Sequence, residues 1–281
     1  MSTSSYPVSG PIDLQVRLGY GRLTVHADEN VSEATVAITP RDPTSDHARR
    51  TVVEMRNSTL VVHSPKPRGT VFDFPIFGAR FSEHDALDVE ITVPARTTMK
   101  IASWGADVVV TGRAGTSDVS SGSTTITIDQ VDGDLRLRYG SGPAQVQRVS
   151  GTVQVRSGSG TVTFGEVSGS IDVGCGSGAL DVGSAGGRVR MRTGSGQASI
   201  GAAGGDVDLT SGSGGLSVGL RPGQPARLDV ITGAGQLRTD LPIESDAPAN
   251  TAHAITVKAR TGSGDVHIFR AEPAVPDDAV A

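Results

Sequence analysis

The chain of 281 residues contains one cysteine, and its aromatic share is only 4%. A lone Cys175 excludes an internal disulfide framework. By spacing it falls in line with Tyr139, Ser157, Thr193 and Ser211. With no base or cation indicated beside it, it reads as a corner or packing residue rather than a reactive thiol. So few aromatics argue against a bulky globular core. No apolar stretch approaches the ~20 residues that cross a membrane as a helix. Met1 to Gly10 is polar and lacks the apolar centre of a secretory signal, so the expected location is cytoplasmic. Of the six histidines, His26, His47, His63, His84, His253 and His267, no two stand at a metal-ligand spacing, and no metal or cofactor is expected. Net charge is −5 and the pI is about 5.7, which gives no reason to expect nucleic-acid or anionic-membrane binding. Lysine is scarce beside arginine, a bias that codon usage in a GC-rich genome explains without an anion-binding role.

Glycine is abundant, with 37 residues, and it is periodic. Gly133, Gly142, Gly151, Gly160, Gly169, Gly178, Gly187, Gly196, Gly205 and Gly214 stand nine apart. A second series, Gly122, Gly140, Gly158, Gly176, Gly194 and Gly212, stands eighteen apart and marks alternate corners as Gly-Ser-Gly or Gly-Ser-Thr. Within each unit the third and fifth residues are apolar: Val153 and Val155, Val162 and Phe164, Ile171 and Val173, Val189 and Met191, Val207 and Leu209. Such alternation is the mark of a strand with one buried face. Nine residues therefore make one strand and one corner, and eighteen make a two-strand coil. Stacked coils pair strand on strand in parallel, which predicts an all-β fold, a single-chain parallel β-solenoid (β-helix) with an irregular β N-terminal region.

The register predicts regular solenoid over residues 97–270, unbroken from Thr97 to Gly219. It then continues in chain order through Leu228 and Val230, Leu237, Ile255 and Val257, and Val266 and Ile268. Residues 241–252, rich in Pro, Asp, Ser and Asn, read as an inserted loop. Residues 10–96 alternate less regularly and read as opening coils and a cap. Residues 1–9 and the acidic tail 271–281 are expected to be disordered. The segment 64–85 reads as a loop, and within it Phe72, Phe74, Phe77 and Phe81 are four of the six phenylalanines in the chain. Such a run either covers apolar surface or presents it to a partner.

Catalytic patterns fare poorly. Gly215-Leu216-Ser217-Val218-Gly219 spells a nucleophile elbow, but Ser217 falls at an outward strand position with no helix to follow. Calcium-binding nonapeptide repeats need an Asp where this chain places Val162, Leu180, Ala198 and Leu216, and an aliphatic cannot ligate a hard cation. A polysaccharide-cleaving β-helix needs a cleft built by inserted loops and paired carboxylates. Asp172 and Asp208 share a column, but Arg190 lies between them, which reads as a salt-bridged ladder. One solenoid face is charged and mixed in sign, carrying Asp134, Arg136, Arg138, Arg188, Arg190, Arg192, Asp206 and Asp208. The other is small and nearly neutral, with Thr161, Thr163, Asp181, Gln197, Ser199 and Ser217. A flat polar face of that kind suits a protein partner or a second copy of the chain.

The strand Leu87-Asp88-Val89-Glu90-Ile91-Thr92-Val93-Pro94, followed by in-register corners ending in Thr261-Gly262-Ser263-Gly264-Asp265-Val266, resembles a known family. This is the bacterial putative-adhesin family of β-strand-repeat domains of unknown function, and the resemblance covers about residues 10–270. It implies the same repeat fold, brings no catalytic residues, and carries an adhesive label. The reading that results is a non-enzymatic structural or interaction scaffold, self-association included. The alternatives are a surface adhesin exported without a visible signal and a carbohydrate-active β-helix enzyme.

Overall fold

A computed structural model describes residues 2–65, 85–241 and 254–272. The chain forms two compact units, Met1–Gly160 and Thr161–Ala281. Each is built from two columns of strands stacked in the manner of a β-solenoid.

In the first unit, the strand Asp13–Asp28 is long enough to serve both columns. Leu14, Val16 and Leu18 point inward from its first arm, and Leu23, Val25 and Ala27 from its second. Gly19-Tyr20-Gly21 turns the corner between them. The strand Thr98–Ala114 repeats this course beside it, with Leu14 level with Met99 and Leu23 level with Val108. From there the columns part. Ser117–Ser123, Leu135–Ser141 and Val153–Ser159 continue one in parallel, and Ile126–Val131 and Ala144–Val149 continue the other. Most ladder partners are eighteen residues apart, as in Leu135 with Val153 and Ile126 with Ala144. The register slips by one residue after Val110, where Arg113 pairs with Gln130. Gly112, at φ 78°, absorbs the extra residue in a bulge.

The opposite end of this unit is closed by antiparallel strands. Val52–Arg56 folds back on Thr59–His63, which pairs with the first arm of Asp13–Asp28. Glu33–Pro40 lies antiparallel on Leu87–Pro94, which pairs with the second arm. Ser2–Pro7 then covers Glu33–Pro40. The expectation of a disordered stretch at 1–9 is corrected here for residues 2–7. An edge strand needs backbone hydrogen bonds rather than apolar alternation, and this one also ties in its side chains. The Tyr6 hydroxyl donates to Val53 O at 2.9 Å and Ser5 Oγ to Glu33 at 2.7 Å. Such closure protects an end that would otherwise expose unpaired strand.

In the second unit, Val162–Val167, Leu180–Ala185, Ala198–Ala203 and Leu216–Leu220 form one column. Ile171–Ser177, Val189–Ser195 and Val207–Ser213 form the other. A second one-residue slip lies between Ile200 and Ala203, the latter pairing with Leu220. Val153, Val155, Ile171, Val173, Val189, Met191, Val207 and Leu209 are all at most 2% exposed, and Phe164, at 1%, is the largest of the fully buried side chains.

The last two coils do not follow chain order. Ile255–Ser263 sits between Val207–Ser213 and Ala226–Ala234, and Val266–Arg270 sits between Leu216–Leu220 and Leu237–Thr239. The coil later in sequence is inserted, and the earlier one lies outside it. The expected sequential order is therefore corrected, and charge gives one reason. The inserted arrangement makes the ladder Asp172, Arg190, Asp208, Lys258, Asp229, which alternates in sign. Chain order would set Asp229 directly beside Asp208, a like-charge cross-strand pair. Capping gives another. Asp134 accepts the N–H of Thr152, one coil on, at 2.8 Å. In the same way Asp206 accepts from Thr256 and Asp265 from Gln236, each at 2.8 Å, so these caps also link 206 to 256 and 265 to 236. The inserted coil buries Val257, Ala259, Val266 and Ile268, whereas Ile231 and Leu237 of the outer coil are 54% and 49% exposed.

Candidate functional site

The outward side chains of each unit form straight ladders, and the two columns carry different chemistry. On the charged column of the first unit, Arg138 donates to both oxygens of Asp118 at 2.9 and 2.8 Å, and Arg136 reaches Gln154 at 3.2 Å. In the second unit Arg190 pairs with Asp208 at 3.2 Å and Arg260 with Asp229 at 2.9 Å. Exposed pairs contribute only about 0–1 kcal/mol each. Their combined effect is to fix which strand lies beside which. Arg190 does occupy the position between Asp172 and Asp208, so those carboxylates do not form a hydrolytic pair.

The other column of the second unit is small and level. Thr163, Asp181, Ser199 and Ser217 stand in one file. Gly165, Gly183, Gly201 and Gly219 stand in the next, and the last three are each too close to the preceding glycine's backbone to admit a side chain. Both files end against an aromatic pair. His267 follows Ser217, and Phe269 follows Gly219, where an added methyl would lie 2.9 Å from the Phe269 ring. The two rings stack at 5.2 Å, and His267 Nε2 stands 3.2 Å from Asp240. The sequence reading did not single out this pair. Its signal was the alternation Val266-His267-Ile268-Phe269, which turns both rings outward.

Ser217 lies on the strand Leu216–Leu220, between buried Leu216 and Val218. The strand position gives it no elbow to stand on. Cys175 is level with Thr193, and its thiol is 3.7 Å from Gly178 O. Farther along that file Thr193, Ser211 and Thr261 are buried and donate to glycine carbonyls at the corners, so the file serves corner packing. Val162, Leu180, Ala198 and Leu216, at the places of a calcium-binding Asp, all point into the core.

Two further clusters lie in the first unit. Ser45, His47 and Asp85 approach one another, yet Ser45 Oγ at 3.5 Å and Asp85 at 2.9 Å share the same nitrogen, Nδ1 of His47. A catalytic relay needs them on opposite nitrogens. This cluster fastens the short helix His47–Arg50 instead. A cavity of about 540 Å³ is lined by Tyr20, Gly21, Arg41, Asp42, Ala86, Gly105 and Asp107. Burial raises the Tyr20 phenol above its ordinary value. The charged lining is committed: Arg41 to Asp88 at 2.8 Å, Asp42 to Thr44 and Asp107 to the N–H of Thr125.

Among the described residues no group of His, Cys, Asp and Glu could hold a metal ion, and no helix is long and apolar enough to cross a membrane. The candidate contacts Phe72, Phe74, Phe77 and Phe81 lie outside the described residues, as do most of the insertion at 241–252 and of the tail at 271–281.

Residues 23–275 match the Toastrack DUF4097 family. No curated protein matches the chain. Among solved structures, the chain is similar to a putative adhesin from Bacteroides fragilis at 12% identity and a TM-score of 0.44, covering 95% of this chain and 96% of that one. It is also similar to a putative adhesin from Parabacteroides distasonis, at 14% identity and a TM-score of 0.35, over 95% and 96% of the two chains. A putative lipid binding protein from the same species shows 13% identity and a TM-score of 0.34, over 96% of both chains.

Proposed function

The chain belongs to the Toastrack DUF4097 family, and we propose that this member is a non-enzymatic scaffold whose small, level column receives a protein partner, a second copy included. The observation that carries this reading is the pair of files Thr163–Ser217 and Gly165–Gly219. They form a surface of glycines and short side chains, with Asp181 its one charge, as far as His267 and Phe269, so a partner strand or sheet can approach closely along it. The charged column suits that role less, because Arg138, Arg190 and Arg260 are already engaged in ladders along it. Along the described strands from Ser117–Ser123 to Leu216–Leu220 the corners are short and carry no inserted loop from which a catalytic cleft could be built, which disfavours the carbohydrate-active alternative.

The test is a pair of variants made in the native host under light cross-linking. Ser199→Arg with Ser217→Arg roughens the level face, and Arg136→Gln with Arg138→Gln alters the charged one. The proposal expects the first pair to lose the cross-linked partner and the second to keep it. The opposite pattern, or turnover of a polysaccharide or ester panel by the purified protein, refutes it. The proposal includes a cytoplasmic location. Recovery of the native protein at the cell surface would favour the adhesive alternative.

A further inference from the structure

Insertion of the last coil leaves Ala226–Ala234 as the outer strand of its column. Among the described residues it pairs on one side only, with Ile255–Ser263. The N–H of Ile255 donates to Pro225 O at 3.1 Å. A parallel ladder uses alternate residues of a strand, so Leu228 and Val230 turn their own N–H and C=O toward the open side. Both are only half-buried although they stand in the core files above Val257 and Ala259, and Ile231 is 54% exposed. Long edges with apolar side chains pair with another chain unless something blocks them. No proline, inward charge or antiparallel cover blocks this one among the described residues of the strand.

The charges select the occupant. Leu228 is flanked by Arg227 and Asp229. Arg227 makes no ion pair among the described residues, and Asp229 is bridged by Arg260 at 2.9 Å, which leaves acceptor capacity on its carboxylate. We propose that Ala226–Ala234 pairs antiparallel with the same strand of a second copy, about a two-fold axis at Leu228. That register sets Leu228 opposite itself and exchanges its two backbone hydrogen bonds with its copy. It sets Arg227 opposite the second copy's Asp229, twice over by symmetry. An isologous contact of this kind is closed and stops at a dimer. It is strand addition with the chain as its own partner.

The inference rests on the scaffold reading only in naming where self-association occurs, and it uses a different surface from the level face. Sedimentation equilibrium of the full chain tests it with three samples. Wild type is expected to dimerise. Arg227→Asp and Asp229→Arg each set like charges across the axis and are expected to raise the dimer dissociation constant about tenfold or more, with melting curves monitoring the fold. A one-to-one mixture of the two variants restores both ion pairs, and a heterodimer of near wild-type affinity is expected. Arg227→Asp breaks no intrachain ion pair, so it remains informative if Asp229→Arg fails to fold. A monomeric wild type overturns the inference and leaves the level-face proposal standing. So does a dimer indifferent to Arg227→Asp, or a mixture of folded variants that stays monomeric.

Discussion

Replacing Gly142 with alanine combines two costs that the structure allows to be separated. Gly142 has φ 109°, a conformation that side chains rarely adopt, and an added Cβ would lie 1.9 Å from the carbonyl oxygen of Thr124 on the adjacent coil. The backbone strain is worth about 1–3 kcal/mol. Relieving the clash means moving the coils apart at Thr124, a buried residue whose N–H donates to Ser141 O at 3.1 Å, next to the bond from Ile126 N–H to Pro143 O at 3.0 Å. Losing one such bond costs a further ~1–3 kcal/mol. The sum, roughly 2–6 kcal/mol, is a large part of the ~5–15 kcal/mol that holds a domain together. Gly223 has φ 73° with no atom within 4 Å of an added Cβ, so Gly223→Ala carries the strain alone and should cost about 1–2 kcal/mol. Gly19 has ordinary backbone angles and open space, so Gly19→Ala should be neutral or stabilising by up to about 1 kcal/mol. Urea unfolding followed by circular dichroism ranks the three. A Gly142→Ala protein within about 0.5 kcal/mol of wild type, or a Gly19→Ala protein as damaged as Gly142→Ala, would refute the reasoning from close-stacked corners.

Phe164→Ala empties the largest of the fully buried side chains, at 1% exposure, and should cost about 3–5 kcal/mol in the same unfolding assay. The carboxyl of Asp132 is pushed up by burial, but hydrogen bonds from Gln130, Arg113 and Arg96 outweigh that and hold it below its ordinary value. A lowered carboxyl stabilises the fold above its unfolded value of about 3.9 and ceases to do so as pH falls through the folded value. Asp132→Asn should therefore lower the melting temperature at neutral pH, and the gap from wild type should close below about pH 4. Calcium added to chelator-treated protein should leave the melting temperature unchanged, since Val162, Leu180, Ala198 and Leu216 fill the core where ligands would stand; a large rise would contradict that.

The inward residues were legible because a period of two within a period of eighteen leaves little freedom. Val153 and Leu209 are buried for the same reason, each facing its equivalent one coil away. The corner file was legible too, since Cys175 falls level with Thr193 by spacing alone. The order of the last two coils was not. Leu228-Asp229-Val230 and Val257-Lys258-Ala259 both fit the next place above Val207-Asp208-Leu209, and apolar spacing cannot choose between them. The choice rests on charge and capping between segments far apart in the chain, Lys258 between Asp208 and Asp229 and Asp206 on Thr256. The strand Ser2–Pro7 was hidden because an edge strand held by backbone bonds leaves no apolar trace. The grouping of His47 with Asp85 was hidden because the two are brought together only by folding.

The order of the coils decides the ladder of charges and which edge is left open, and a disulfide reports it directly. In a Cys175→Ser background, Asp208→Cys is combined with Lys258→Cys in one protein and with Asp229→Cys in another. Adjacent strands lie about 4.8 Å apart, within the ~4.4–6.8 Å between Cα atoms that a disulfide bridges, and strands two steps apart do not. The structure predicts that 208–258 oxidises to a cross-linked monomer with the wild-type spectrum while 208–229 stays reduced. Ready cross-linking of 208–229, with 208–258 left as free thiols, would show the coils stacked in chain order and contradict the account.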